Sequence, residues 1–345
     1  MGTNQLTGSI PDSIGSLSVL TNLYLHNNQL TGSIPDSIGN LSSVTRLYLY
    51  SNKLSGSIPE TIGNLSKLKI LSSSSNELTG TIPETIGNLS SLTNLYLNSN
   101  KLTGSIPDTI GNLNSLYDLR LHNNQLTGSI PETIGNLSSL NRIYLYNNQL
   151  TGSIPETIGN LNNLAYIYWY DNKLSGTIPD TIGNLSKLKV LSSAGNELTG
   201  TIPETIGNLS SLTHLYLYSN QLTGRIPETI GNLKSLKDLR LYNNQLRGIV
   251  PSNLCDIPNL SKIYLQDNNL CPSYPSCIAS IGNQNISKCH FPDIYVINPD
   301  GPVAGQMVTL TGRNFASPFD STTVKFYQDQ TVLEGSIFKT PSIET

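Results

Sequence analysis

Asparagine recurs at a fixed interval of 24 residues, from Asn4 through Asn28, Asn52, Asn76, Asn100, Asn124, Asn148, Asn172, Asn196, Asn220 and Asn244 to Asn268. A globular enzyme fold has no use for so strict a period. A solenoid does, because a unit of this size can bury its apolar edge only against the next copy of itself. The chain is therefore predicted to stack coil on coil, and its function is to be sought on a surface that repeats.

The cleanest copy reads Leu89-x-x-Leu92-x-x-Leu95-x-Leu97-x-x-Asn100-x-Leu102-Thr103-Gly104-x-Ile106-Pro107-x-x-Ile110-Gly111-Asn112. Alternation at Leu95-x-Leu97 predicts a short strand with one face inward, and the other fixed apolar positions turn inward from the rest of the coil. An Asn at the bend can satisfy backbone groups that the turn leaves unpaired, so the stacked Asn side chains are expected to form an internal hydrogen-bonded ladder. In Ile-Pro-Glu-Thr-Ile-Gly-Asn, Pro is placed to start a helical turn and Gly to stop it, which leaves room for one 3₁₀ turn. Thr-Gly-Ser-Ile, between the two, predicts a second, shorter strand on one flank.

This pattern resembles the leucine-rich repeat, and the trailing Leu-Thr-Gly-x-Ile-Pro is similar to the plant-type variety of receptor ectodomains and secreted inhibitors. The resemblance covers about eleven units over residues 1–270. It implies an α/β solenoid: a right-handed superhelix with a concave parallel sheet, a second sheet on one flank and 3₁₀ turns on the convex side.

Charged residues make up only 12% of the chain and the net charge is −3. No basic stripe argues for nucleic acid, and no apolar run approaches the roughly 20 residues of a membrane span. Long-range steering of a partner by charge is expected to be weak.

The four cysteines, Cys255, Cys271, Cys277 and Cys289, all lie in the last coil and its exit. Disulfides there would close the open apolar end of the solenoid in an oxidising compartment, and three connectivities are open. Zinc is the rival reading, but no pair has C-x-x-C spacing and only His290 is near. Residues 271–290 thus read as a cap. Asn268-Asn269-Leu270-Cys271-Pro272-Ser273-Tyr274-Pro275-Ser276-Cys277 resembles the exit of plant-type repeat domains, which implies Cys271 with Cys277 and Cys255 with Cys289.

Residues 291–345 change texture, with strand alternation broken by Pro and Gly turns through Phe291–Gly301 and Gly305–Phe315, and a further strand expected at Val324-Lys325-Phe326. They resemble the start of an IPT/TIG domain, an all-β immunoglobulin-like sandwich of surface receptors, and are too few for a whole one. Met1–Gly8 enters in mid-repeat. Together these features read as a piece of a longer secreted or membrane-tethered protein, extracellular by its cysteines and by resemblance. Asn-x-Ser sequons at Asn40, Asn64, Asn88, Asn136, Asn184, Asn208, Asn259 and Asn285 would permit glycosylation there, with partial use expected.

Sequence varies most where strand side chains face solvent. One column reads Tyr24, Tyr48, Ser72, Tyr96, Arg120, Tyr144, Tyr168, Ser192, Tyr216, Arg240 and Tyr264, and beside it run His26, Tyr50, Ser74, Asn98, His122, Tyr146, Tyr170, Ala194, Tyr218, Tyr242 and Gln266. Together with Arg142 and Tyr166, these Tyr and Arg side chains have the composition of a binding face, offering large contact area at low entropic cost. Tyr also favours strands and stacks along a ladder with no ligand at all. Aromatics are densest from Arg142 to Tyr170.

A longer rhythm of 120 residues overlies the first, since Lys69–Ser74 returns as Lys189–Ala194 and Asp118–Leu121 as Asp238–Leu241. Ser73 and Ser193 fall at inward positions otherwise held by Leu, Ile or Trp. Trp169, one coil before Ser193, is expected to fill the space there, whereas Ser73 is expected to leave a small void or a buried water.

Asp118, Arg120 and His122 alternate on one strand, but the duplicate Asp238-Arg240-Tyr242 lacks the His, and no nucleophile elbow, phosphate loop or metal spacing accompanies them. A solvated polar patch, not an enzyme site, is the expectation, and no cofactor is implied. The expected function is extracellular recognition of a protein, peptide or polysaccharide, with self-association fitting the same surface. The alternative lies on the flank. There Thr31-x-Ser33, Thr79-x-Thr81, Thr103-x-Ser105 and their equivalents would form hydroxyl columns roughly 4.8 Å apart between coils and roughly 6.7 Å along the strand, an array that resembles ice-binding solenoids.

Overall fold

The computed structural model describes residues 2–278 and 280–289, and the backbone of four further strands at 293–298, 309–313, 323–328 and 331–336. Met1–Ile286 form one unit and Ser287–Thr345 another.

In the first unit each coil gives a three-residue strand to an 11-stranded parallel sheet that runs in chain order from Asn22–Tyr24 to Lys262–Tyr264. The register follows the sequence period, with Leu95 between Leu71 and Leu119. Parallel pairing is forced because every coil re-enters the sheet in the same direction, the rest of the coil serving as crossover. Behind the sheet, Leu89, Leu92, Leu95, Leu97, Leu102, Ile106 and Ile110 are each no more than 2% exposed. Their equivalents join them in one apolar column from Ile10 to Leu270.

The ladder Asn does what the bend demands. Asn100 accepts the Leu78 N–H at 3.1 Å and donates to the carbonyls of Ser73 and Leu97, both at 3.0 Å. One side chain thus ties two coils together. The residue before each ladder Asn has left-handed backbone, as at Asn27 (φ 52°) and Asp171 (φ 53°), a conformation that short polar side chains tolerate best. At the end of the stack Gln284 takes over: its Oε1 accepts the Leu270 N–H at 3.0 Å and its Nε2 donates to Leu265 O at 2.8 Å. The longer side chain closes a final coil that is shorter than the others.

On the opposite edge a 3₁₀ turn follows each Pro, as at Glu84–Asn88 after Pro83. Gly87 lies inside this turn and does not stop it. Its role is close approach, since a Cβ there would stand 2.5 Å from Thr109 O and 2.6 Å from Thr109 Cβ in the next coil. The Thr109 hydroxyl in turn donates to Glu84 O at 2.7 Å, and the same bond recurs from Thr61 to Thr229 as a second side-chain ladder.

The cysteines continue this column. Cys255 stands one period after Gly231 and Cys277 one period after Asn253, which touch, so the bridge Cys255–Cys277, Cα–Cα 5.5 Å, crosses where Gly and Thr touch in the coils from Gly39 to Gly207. Cys271 and Cys289 are disulfide-bonded as well. The pairing implied by resemblance, Cys271 with Cys277 and Cys255 with Cys289, is overturned, because the coil period brings 255 and 277 together on adjacent turns.

The flank carries less strand than expected. It pairs only at Thr7–Ser9 with Gln29–Thr31, Ser55–Gly56 with Glu77–Leu78 and Arg247–Ile249 with Asn269–Cys271, with a single bridge at Thr201–Thr223, among the described residues. Gly32, at φ +74°, bends the chain between Thr31 and Ser33, so the two hydroxyls do not share one extended strand and the 6.7 Å repeat expected along it is broken.

Inside the stack the Trp169 indole is fully buried and its N–H donates to the Ser193 hydroxyl, as the size difference between neighbouring coils requires. Ser73 is 1% exposed beneath the corresponding earlier coil. In the second unit Asp293–Asn298 pairs antiparallel with Thr309–Arg313, and Thr323–Gln328, which contains Val324–Phe326, pairs antiparallel with Thr331–Ser336. The remaining residues quoted for the immunoglobulin-like resemblance lie outside the described residues.

Candidate functional site

Strand alternation turns three columns of side chains outward from the long sheet. Their first column contains Asn94, Asp118, Arg142, Tyr166, Val190, His214 and Asp238, and the second contains Tyr96, Arg120, Tyr144, Tyr168, Ser192, Tyr216 and Arg240, all in register. The third begins at His26 and Tyr50 and includes His122, Tyr146, Tyr170, Ala194, Tyr218 and Tyr242.

Rings one coil apart lie face to face. Tyr144 stacks on Tyr168 at 5.0 Å and 6°, Tyr146 on Tyr170 at 4.4 Å and 7°, and His122 on Tyr146 at 4.3 Å and 16°. The same arrangement joins Tyr24 to Tyr48, His26 to Tyr50 and Tyr218 to Tyr242. Strand spacing is close to ring spacing, so a Tyr column stacks without strain. In consequence the face shows solvent its ring edges and hydroxyls, while most ring faces are spent on each other.

Arg120 is built into this ladder. Its Nε and Nη2 donate to the two oxygens of Asp118 at 3.0 and 2.7 Å, and its Cζ lies 4.6 Å from the Tyr96 ring and 5.2 Å from the Tyr144 ring. The Tyr96 hydroxyl donates to the same carboxylate at 3.2 Å, and Arg142 Nη1 stands 3.8 Å from it. Arg240 repeats the arrangement on Asp238, between Tyr216 and Tyr264. The expected solvated patch is therefore corrected: the Asp118 side chain is 1% exposed, and its charge is consumed by its neighbours. Asp118 and Asp238 are the anchors that sequence reading missed. Their signal was there, because an acid two residues before an Arg on a strand shares its face.

Arg142, between the rings of Tyr117 and Tyr166 at 5.6 and 5.5 Å, holds the second positive charge of the cluster. Two arginines against one buried carboxylate leave the group cationic by one. Burial pushes up the hydroxyls of Tyr96, Tyr144 and Tyr168, and those of Tyr170 and Tyr216 to about 12, so these rings are neutral at physiological pH. His122 is neutral too, held down to about 4 by burial and then by the Arg120 charge. The structure thus brings Tyr96, Arg120, His122, Arg142, Tyr144, Tyr146, Tyr166, Tyr168 and Tyr170 into one continuous patch. Tyr48 and Tyr50 lie apart from it beyond the Ser72 coil, and Tyr216, Tyr218, Arg240 and Tyr242 beyond the Ser192 coil.

All eight sequon asparagines are exposed, six of them as the last residue of a 3₁₀ turn away from the sheet face. Among the described residues, no cluster of three His, Cys, Asp or Glu side chains is placed to hold a metal ion, and no helix is long and apolar enough to cross a membrane.

A family model described as a leucine-rich repeat region matches residues 50–145 and 148–277, and a second leucine-rich repeat model matches 18–78. No curated protein matches the chain. Among solved structures, the ectodomain of the Arabidopsis thaliana membrane receptor kinase GASSHO1/SCHENGEN3, in complex with CASPARIAN STRIP INTEGRITY FACTOR 2, is 37% identical with a TM-score of 0.70, over 82% of this chain and 37% of its own. The Arabidopsis receptor kinase HAESA, in complex with the peptide hormone IDA and the co-receptor SERK1, is 31% identical with a TM-score of 0.71, over 82% of this chain and 52% of its own. A plant ice-binding protein is 32% identical with a TM-score of 0.60, over 76% of this chain and 83% of its own. The chain spans about half or less of the first receptor structures it matches, 49%, 37% and 42% of their lengths. With the repeat, the coil geometry and these matches in agreement, the chain belongs to the leucine-rich repeat family in its plant-type form.

Proposed function

We propose that the long sheet face is an extracellular recognition surface for a peptide or protein, centred on Tyr144, Tyr146, Tyr166, Tyr168 and Tyr170 and reaching Tyr96, Arg120, His122 and Arg142. The observation that carries this is the continuous aromatic patch, cationic by one where Arg120 and Arg142 share the Asp118 carboxylate. Such a surface recognises by shape, hydroxyl hydrogen bonds and aromatic contact. Two receptors it resembles are described as a plant peptide hormone receptor, RGFR1 in complex with RGF2, and as HAESA in complex with the peptide hormone IDA, which supports the same class of partner here. Polysaccharide is a poorer fit, because sugar rings pack on exposed aromatic faces and most of these faces are stacked on each other. Self-association through the face is a further outcome of the same test.

In this reading residues 1–270 bind, 271–290 close the stack, and 291–345 form part of an immunoglobulin-like domain linking the solenoid to the rest of a surface protein. The role is binding and not catalysis. Sequon glycans would decorate the 3₁₀ edge and leave the sheet face bare. Screening the disulfide-intact chain against extracellular peptides tests it: a saturable partner lost in the Tyr144→Ala, Tyr168→Ala, Tyr170→Ala triple variant supports the face, and unchanged affinity moves the site elsewhere.

A second reading, ice binding through the flank hydroxyls, is favoured by the ice-binding relative. The bend at Gly32 and its equivalents weighs against it. Thr103, Thr199 and Thr223 hydroxyls also donate to backbone carbonyls of the preceding coil at 3.2–3.3 Å. Ice-recrystallisation inhibition abolished by replacing Thr79, Thr81, Thr127 and Thr151 would establish this reading in place of the first.

A further inference from the structure

Two pairs in the third column bring their rings closer than any other tyrosine pair among the described residues. Tyr146 and Tyr170 lie 4.4 Å apart at 7°, and Tyr218 and Tyr242, three coils further on, lie 4.4 Å apart at 8°. Tyr144 and Tyr168 keep 5.0 Å, as do Tyr24 and Tyr48 at 21°. Elsewhere a guanidinium separates the rings, Arg120 between Tyr96 and Tyr144 and Arg240 between Tyr216 and Tyr264.

The parallel register makes each of these pairs a match of like atoms. The strands that lead into Tyr146 and Tyr170, and those that lead into Tyr218 and Tyr242, are paired without a slip. With the rings nearly parallel as well, the two hydroxyls of a pair stand side by side, and so do the ring carbons ortho to them. One hydroxyl feels the other. Burial first, and then the Tyr146 ring and its hydroxyl among the other causes, push Tyr170 up to about 12, and burial and Tyr218 push Tyr242 up. A phenol held protonated gives up an electron together with its proton.

We propose that Tyr146 with Tyr170, and Tyr218 with Tyr242, are sites of oxidative coupling to dityrosine, with hydrogen peroxide as the oxidant and a haem peroxidase as the catalyst that delivers it. Each ring loses one electron and one proton and becomes a neutral phenoxyl radical. The two radicals join by a carbon–carbon bond between ortho positions, and the hydrogens on those carbons move to the oxygens, which restores both phenols. The two electrons and two protons removed reduce one peroxide to two waters. Because both radicals form in contact, the coupling has the effective molarity of a positioned pair and outruns encounters between chains. The rings turn from face-to-face to edge-to-edge as the bond forms, on strands about 4.8 Å apart.

Each link ties residues 24 apart in sequence across the sheet face and constrains the unfolded chain by the loop it closes. It also changes the chemistry of the face. In the biphenol one hydroxyl donates to the phenolate of the other, so the first proton leaves more readily than from a lone tyrosine. The link at Tyr146 therefore brings negative charge to the patch that holds Arg120 and Arg142. The inference stands on ring geometry, and it holds whether or not the face binds a peptide.

Treating the dilute, disulfide-intact chain with hydrogen peroxide and a haem peroxidase should produce the blue emission of dityrosine in a chain that still runs as a monomer and is lighter by two hydrogens for each link. Digestion should release linked peptides that join Tyr146 to Tyr170 and Tyr218 to Tyr242. The coupled chain should also unfold at a higher temperature than the untreated one. Tyr146→Phe and Tyr218→Phe keep a stacking ring but lack the hydroxyl, so each should lose a large part of the emission and the double variant nearly all of it. Emission confined to covalent dimers, links mapped to other tyrosines, or undiminished emission in the double variant overturns the assignment. Should the double variant fail to fold, the linked peptides of the wild type decide alone.

Discussion

Arg120 reaches back two residues along its own strand to grip Asp118 with two hydrogen bonds, at 3.0 and 2.7 Å, while its guanidinium lies between two tyrosine rings. The pair orders the middle of the sheet face, because the carboxylate is buried and the arginine keeps it neutralised. Arg120→Ala should therefore destabilise by about 2 kcal/mol, the cost of a buried carboxylate losing its main partner. Arg120→Lys should recover only part of this, since an ammonium cannot make the paired contact. Urea unfolding measures both, and a loss below about 0.5 kcal/mol for Arg120→Ala would show that the carboxylate finds another partner.

Asp238 makes the same grip testable by pH. Burial pushes its carboxyl up, but hydrogen bonds from Arg240 and Tyr216 and the charges of Arg240 and Lys262 outweigh it and hold it below the usual range. A folded-state value below the unfolded one stabilises above the unfolded pKa, and the contribution is lost as pH falls through the folded value. Wild-type stability should thus drop below about pH 4, and Asp238→Asn should show a shallower acid limb. Parallel limbs would contradict the pairing.

His122 carries the opposite chemistry. Burial and the Arg120 charge hold its folded pKa at about 4, below the ordinary value of 6.5. The unfolded chain then binds the proton more readily, so this residue favours folding fully above about pH 6.5, and its contribution declines as pH falls toward 4. Ring resonances of His122 should stay those of the neutral imidazole at pH 5.5, whereas titration near 6.5 would mean that the ring is exposed.

Ser73 and Ser193 should answer differently to the same change. Ser73→Leu restores the residue that Leu49 and Leu97 carry on either side and should stabilise by about 1 kcal/mol. Ser193→Leu drives a branched side chain into the Trp169 indole that now bonds to it and should cost about 1–3 kcal/mol. Thermal unfolding of the two variants compares them, and equal effects would remove the distinction between the coils.

Asn100→Ala should cost about 3 kcal/mol, since it leaves the Leu78 N–H and two carbonyls unpaired in a nearly dry bend. Asn100→Asp should be no better, because it turns a carboxylate oxygen toward the carbonyls of Ser73 and Leu97. A urea midpoint about 1 M lower in these variants than in an exposed control such as Lys101→Ala is the expected result; similar midpoints would mean that water replaces the ladder.

Much of this was legible because the fold is one-dimensional. Asn100, Leu95 and Leu97 take their places from the period alone, and Trp169 over Ser193 followed from comparing neighbouring coils. Even the bridge was encoded: subtracting one period from Cys255 gives Gly231, and subtracting two from Cys277 gives Thr229, residues of two columns that touch in every coil. Resemblance pointed to another pairing, and counting would have corrected it. The Gly87 column was misread because a stop and a close approach call for the same residue. The flank hydroxyls were misplaced because a left-handed Gly32 between them leaves no trace in an alternating pattern. Asp118 was taken as solvated because burial on a sheet face depends on how far neighbouring rings lean over it, which no single strand records.

The central claim, that the sheet face is the binding surface, is met most directly by comparing peptide capture by the disulfide-intact wild type with capture by the Tyr144→Ala, Tyr168→Ala, Tyr170→Ala variant, after unfolding curves have shown both to be folded. Losing three packed aromatic anchors should weaken a peptide that sits on them by at least about a hundredfold. Affinity within about twofold of wild type would contradict it and place the ligand on another surface of the solenoid.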